Sequence, residues 1–185
     1  HEVDDLYNAA LAEGIRCGTM IVTGVPDGKV LPVEVYTRLS RDLRANDVIS
    51  VADIAGTVLD AVEEGLTLIK VSHEELQAAG LAKDDSRKSL MKAMEGLRKK
   101  ADNIVVSCAG AGALALMQDR FWEAKAPQLT PRDHSGAGDS MTAALAVAEV
   151  EAVLELIRTV SARGVSVILI THRLQDLFLV CDRIQ

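Results

Sequence analysis

The chain has only three cysteines, no dense run of lysine and arginine, no apolar stretch of membrane-spanning length and no phosphate-binding P-loop. Each absence excludes something. Cys17, Cys108 and Cys181 are odd in number, widely spaced and set in apolar sequence, which argues for reduced, buried thiols rather than a disulfide framework or a zinc site. A net charge of −7 without a basic run argues against the phosphate backbone of nucleic acid as a partner. With no membrane span, and no basic segment followed by an apolar signal core at the N-terminus, the expected location is cytoplasmic. The pattern G-x-x-x-x-G-K-[ST] is missing altogether: Gly24 to Lys29 is one residue too short and is followed by Val30.

What is present is a foldable, largely apolar chain. A hydrophobic fraction of 49% over 185 residues supports one globular domain with a sizeable core. Apolar runs of strand length alternate with helical patterns, so the expected class is α/β, a mostly parallel sheet flanked by helices in three layers. Helices are expected over 2–15, 32–44, 54–63, 74–79 and 88–100, the last of them capped by Asp85-Ser86. Strands are expected over 19–23, 48–52, 66–71, 104–108, 113–117 and 120–124. From Gly138 to about Arg163 neither proline nor glycine interrupts a helical apolar pattern, which predicts one long helix. Gly164 ends it, Val165 to Ile170 reads as a strand, and Leu174 to Val180 starts another helix.

The most informative segment is Asp133-His134-Ser135-Gly136-Ala137-Gly138-Asp139, which runs into the alanine-rich stretch after Ser140. Two glycines flanking one alanine let successive N–H groups converge, and a helix starting there adds unpaired N–H groups and the positive end of its dipole. Such a turn holds an anion, most often phosphate. Asp139 beside it is placed to take a proton from an attacking hydroxyl. A simple N-cap is the competing role for that residue.

Three segments together resemble the PfkB/ribokinase family of sugar kinases, and its phosphofructokinase-like branch most. They are DHSGAGD, which matches the signature D-x-x-G-A-G-D; LIKVSHEEL at 68–76, which corresponds to the I-K-P-N-x-x-E region; and VVSCAGAGALAL at 105–116, similar to the strand, turn and hairpin bordering the nucleotide site. The resemblance covers residues 1 to about 145 and implies a ribokinase-like core fragment. It implies Asp139 as catalytic base and the backbone of Gly136, Ala137 and Gly138 as the anion hole. Glu75 matches the glutamate that organises magnesium through water, with a solvated first-turn helix residue as its plain alternative. Ser107 matches a hydroxyl near the nucleotide phosphates, or else an ordinary strand-end serine. Ser72 stands where the family commonly has asparagine, and Ala109 replaces a common glycine.

Residues 142–149 and GVSVILITHRLQDLFLVCDRI at 164–184 resemble something else, the final part of a sugar-type ABC transporter ATPase. That resemblance makes His172 a vestigial switch histidine, with a strand-end or helix-cap role as its plain alternative, and it makes 146–185 a P-loop-NTPase-like helix-strand-helix completing the single domain of 1–185. The two resemblances meet in an alanine-rich helix, so the expectation is a chimaera, engineered or computationally generated, with a natural rearranged gene as the alternative. The sugar pocket and adenine loops that the kinase resemblance calls for are not recognisable. The expected function is therefore a scaffold without a complete active site, retaining weak phosphate or nucleotide binding at GAGD. It requires no cofactor, and self-association is plausible. The alternative is an ATP-dependent sugar kinase using ATP and magnesium, with Asp139 as base.

Overall fold

The computed structural model describes residues 2–24, 31–126 and 137–148. Helix α1 (Glu2–Cys17) begins with Glu2, Asp4 and Asp5 and carries Arg16 in its last turn, charges that complement the helix dipole at each end. Strand β1 (Thr19–Thr23) follows, then α2 (Val33–Ala45), whose Tyr36, Leu39 and Leu43 form one buried stripe. Next come β2 (Ile49–Asp53), α3 (Gly56–Ala61), β3 (Leu66–Ser72), α4 (His73–Ala78) and α5 (Arg87–Leu97). Strands β4 (Ala101–Ser107), β5 (Ala113–Met117) and β6 (Arg120–Ala124) complete the sheet. Residues 137–148 are helical and are called α6 here.

The six strands lie in the order β1-β2-β3-β4-β5-β6. The first four are parallel, and β5 and β6 turn back as antiparallel neighbours. An order that advances one step at every parallel crossover places the crossover helices on one face. Accordingly, Tyr36 of α2, Leu59 of α3 and Leu90, Met94 and Leu97 of α5 share one core with Ala52, Ile69, Ile104 and Val106 of the sheet. The alternate residues Val51, Leu68 and Val105 point to the opposite face, where Met141, Leu145 and Ala146 of α6 cover them. The result is the expected three-layer α/β architecture with a mostly parallel sheet.

Several boundaries move. Strand β2 ends on Asp53 rather than Ala52, and β4 begins at Ala101, ahead of the expected Ile104. The polar residues Asp102 and Asn103 hid that start; pairing of Leu66 with Ala101 and Leu68 with Asn103 extends the strand past its apolar run. Helix α3 is shorter than 54–63 because Ile54 packs into the core ahead of it. The expected Ser86 cap is present, its hydroxyl accepting from the Ser89 N–H. The cysteine expectation is corrected: Cys17 is exposed and Cys108 half-buried, since one ends an amphipathic helix and the other leaves the sheet for a turn. Cys181 lies outside the described residues, as do Gly136, His172, the strand 165–170, the helix 174–180 and the continuation of the long helix beyond 148. No described helix is long and apolar enough to cross a membrane.

Candidate active site

Parallel strands deliver their carboxyl ends to one edge of the sheet, and ligands of open α/β sheets bind outside that edge. Here Thr23, Asp53 and Lys70 occupy neighbouring positions on β1, β2 and β3, with Thr23 registered on Asp53 and Asp53 on Lys70. All three belong to the face that α6 covers. They line a cleft of about 660 Å³ together with Gly24, Ala55, Gly56, Thr57, Glu75, Gly138 and Asp139. Residues far apart in sequence thus meet where α6 begins.

Asp139 is exposed and lies inside the first turn of α6, a helix that has already started at residue 137. That placement removes the N-cap role as its explanation. Gly138 and Asp139 stand at the described N-terminal end of α6, on the cleft.

Glu75 does two things at once. Its Oε2 accepts from the Ser72 N–H at 2.7 Å and from the Ser72 hydroxyl at 2.8 Å, while Ser72 Oγ accepts from the Glu75 N–H, a reciprocal capping box that starts α4 at the end of β3. It also lines the cleft. Ser107 ends β4 opposite Ser72 and Ala113, with its carbonyl 3.2 Å from His73 Nδ1, and it is not among the residues lining the cleft.

Three residues of this edge were not singled out in the sequence. Lys70 Nζ donates to both carboxylate oxygens of Asp53, at 2.9 and 3.1 Å, with side chains only 7% and 16% exposed. Thr142 Oγ1 lies 2.8 Å from Asp53 Oδ2 and 3.0 Å from the Gly138 carbonyl. A hydroxyl has one proton to give, and the charged acceptor takes it more strongly. The available signal was a lysine inside the otherwise apolar run Leu66–Val71, which in a buried parallel strand calls for a charged partner on the neighbouring strand.

No three histidine, cysteine or carboxylate side chains among the described residues form a direct metal cluster. Asp53 is engaged by Lys70 and Thr142, and Glu75 by Ser72. One or two carboxylates beside a phosphate cradle suit magnesium, which keeps its waters and binds through substrate phosphates.

A mostly parallel sheet with helices on both faces and an antiparallel hairpin beyond β4 define the ribokinase-like class of fold. The model of the pfkB family of carbohydrate kinases matches residues 21–172, and the chain belongs to that family. It is similar to 1-phosphofructokinase of Bacillus subtilis, with 26% identity over 76% of this chain and 48% of the relative. In structure it resembles phosphofructokinase-2 from Escherichia coli in complex with fructose-6-phosphate, with a TM-score of 0.66 and 22% identity over 80% of this chain and 50% of that one. The chain therefore spans about half the length of these kinases. A 46-residue stretch is 44% identical to the ribose import ATP-binding protein RbsA of Geobacillus kaustophilus, 25% of this chain and 9% of that protein. The ABC resemblance is thus a short partial match, and the kinase family match runs across residue 145, where the chimaera boundary was expected.

Proposed function

We propose that the cleft at the carboxyl edge is the phosphoryl-transfer site of an ATP-dependent PfkB-type sugar kinase, preferred over the scaffold without a complete active site. Asp139 takes the proton of the attacking sugar hydroxyl, the new oxygen–phosphorus bond forms at the γ-phosphate, and the bond to the β-phosphate oxygen breaks to release ADP. The N–H groups of Gly136, Ala137 and Gly138, with the α6 dipole, hold the transferring phosphoryl group. Magnesium, when bound with ATP, neutralises charge on the phosphates, and Glu75 orients its waters. Ser107 is assigned to the nucleotide side of the same edge. The single observation that carries this reading is the convergence of Glu75, Gly138 and Asp139 on one cleft at the start of α6.

The test is a titration of the chain with ATP, with and without magnesium, followed by an assay of ADP release with fructose phosphates. Binding that strengthens with magnesium is expected, together with sugar-dependent release that falls by about 10²–10⁴-fold in Asp139→Asn while nucleotide affinity is kept. Absence of nucleotide binding sinks the reading in favour of the scaffold.

A further inference from the structure

Among the described residues, three apolar side chains of α6 meet the sheet. Met141, Leu145 and Ala146 rest on Val51, Leu68 and Val105. Contacts of this kind fix a helix against a surface but are non-directional, so they do little to fix it along its own axis. The helix rises about 1.5 Å per residue, and a displacement near 1 Å at a reacting group is worth about 10²-fold in rate. Something directional has to set where Asp139 and the first-turn N–H groups stand.

We infer that Asp53 is the positioning residue for the start of α6, with Thr142 as its hold on the helix and Lys70 as its hold on the sheet; this rests on the functional reading above. Asp53 ends β2, between β1 and β3, so its backbone is fixed on both sides by parallel pairing. Lys70 grips both of its oxygens from the adjacent strand. That leaves the carboxylate little freedom to rotate. Thr142, 2% exposed and one turn after Gly138, donates its hydroxyl to Oδ2 of that pinned group. A buried, charge-assisted bond is directional and strong at short range, so it sets the register of the helix. Through one turn of helix, that register sets Gly138 and Asp139.

The experiment compares the full chain with Thr142→Val, which keeps the shape and removes the hydroxyl, and Thr142→Ser, which keeps the hydroxyl. Backbone amide exchange is followed by NMR in α6 (141–146) and in β3 and β4, alongside titration with ATP and magnesium. In Thr142→Val, exchange over 141–146 is expected to speed up about tenfold with β3 and β4 unchanged, because one bond to a charged acceptor is lost locally. Nucleotide affinity should fall with it, and Thr142→Ser should restore both. Exchange in Thr142→Val within about twofold of the parent overturns the inference, as does equal acceleration in β3 and β4, which marks general destabilisation. Thr142→Ser behaving like Thr142→Val also overturns it, since the methyl group would then be the anchor. A parent chain that binds no nucleotide yet shows the selective acceleration defeats the functional reading and leaves the positioning role of Asp53 standing.

Discussion

The Lys70 ammonium nitrogen lies 3.0 Å from where a Cβ on residue 138 would stand. A side chain at residue 138 would therefore meet the ammonium of β3 a little inside ordinary contact, and either Lys70 or α6 would have to give way. The ammonium is the far end of a flexible chain, but two bonds to Asp53 and burial on the sheet hold it in place. Gly138→Ala should push α6 and Lys70 apart by a few tenths of an ångström. We expect a net loss of about 1–2 kcal/mol, the cost of overpacking less the gain from a stiffer unfolded chain. Urea denaturation measures it, and a variant as stable as the parent would show that the contact yields freely.

The ion pair beneath it makes a larger and more structured prediction. Lys70→Met leaves the largely buried Asp53 carboxylate with Thr142 as its remaining side-chain partner among the described residues, and should cost about 3 kcal/mol. Replacing both partners, as in Lys70→Met with Asp53→Leu, removes the stranded charge and should recover a large part of that loss in a thermal or chemical melt. Equal losses in the single and double variants would mean that packing at this edge, and not the uncompensated charge, sets stability.

These residues also mark what could be read without coordinates. The Gly-Ala-Gly-Asp run at 136–139 is a local signature, carried by neighbouring residues whose chemistry depends on short spacing, while Ser72 and Glu75 stand out in the sequence through the family resemblance. The alternation of strands and helices was legible for the same reason, since each apolar period belongs to one element. Asp53, Lys70 and Thr142 are different. Their meeting depends on strand register and on a helix crossing the opposite face, and a one-residue shift in the end of β2 was enough to leave Asp53 outside the expected strand. Cysteine burial failed similarly, because local apolarity does not say which side of an element meets the core.

The two described cysteines give a chemical check on that correction. Cys17 is exposed at the end of α1. Cys108 is half-buried, and burial first, then the carboxylates of Asp85 and Glu123, push its thiol up from the ordinary value, which lowers its thiolate fraction near neutral pH. Iodoacetamide near pH 7.5 should modify Cys17 well ahead of Cys108, and raising the pH should narrow the difference as the Cys108 thiolate forms. Peptide mapping reads both rates, and equal rates at neutral pH would contradict the stated burial of Cys108.

Ser72 allows the local and functional roles of the β3 edge to be separated. Its hydroxyl caps α4 through the Glu75 N–H, and its own N–H and hydroxyl hold one oxygen of the Glu75 carboxylate. Ser72→Ala removes the cap and one of the two bonds to Glu75, so it should cost about 1 kcal/mol of stability. Ser72→Asn installs the residue that the resemblance leads one to expect there. Asparagine caps about as well as serine, so that variant should stay within about 0.5 kcal/mol of the parent. If Glu75 orients waters on magnesium, Ser72→Ala should also weaken the magnesium-dependent part of ATP binding more than the magnesium-free part, because the carboxylate is then less firmly held. Calorimetric titration at matched nucleotide with and without magnesium reads that split. Equal weakening of both parts would confine Glu75 to its helix cap.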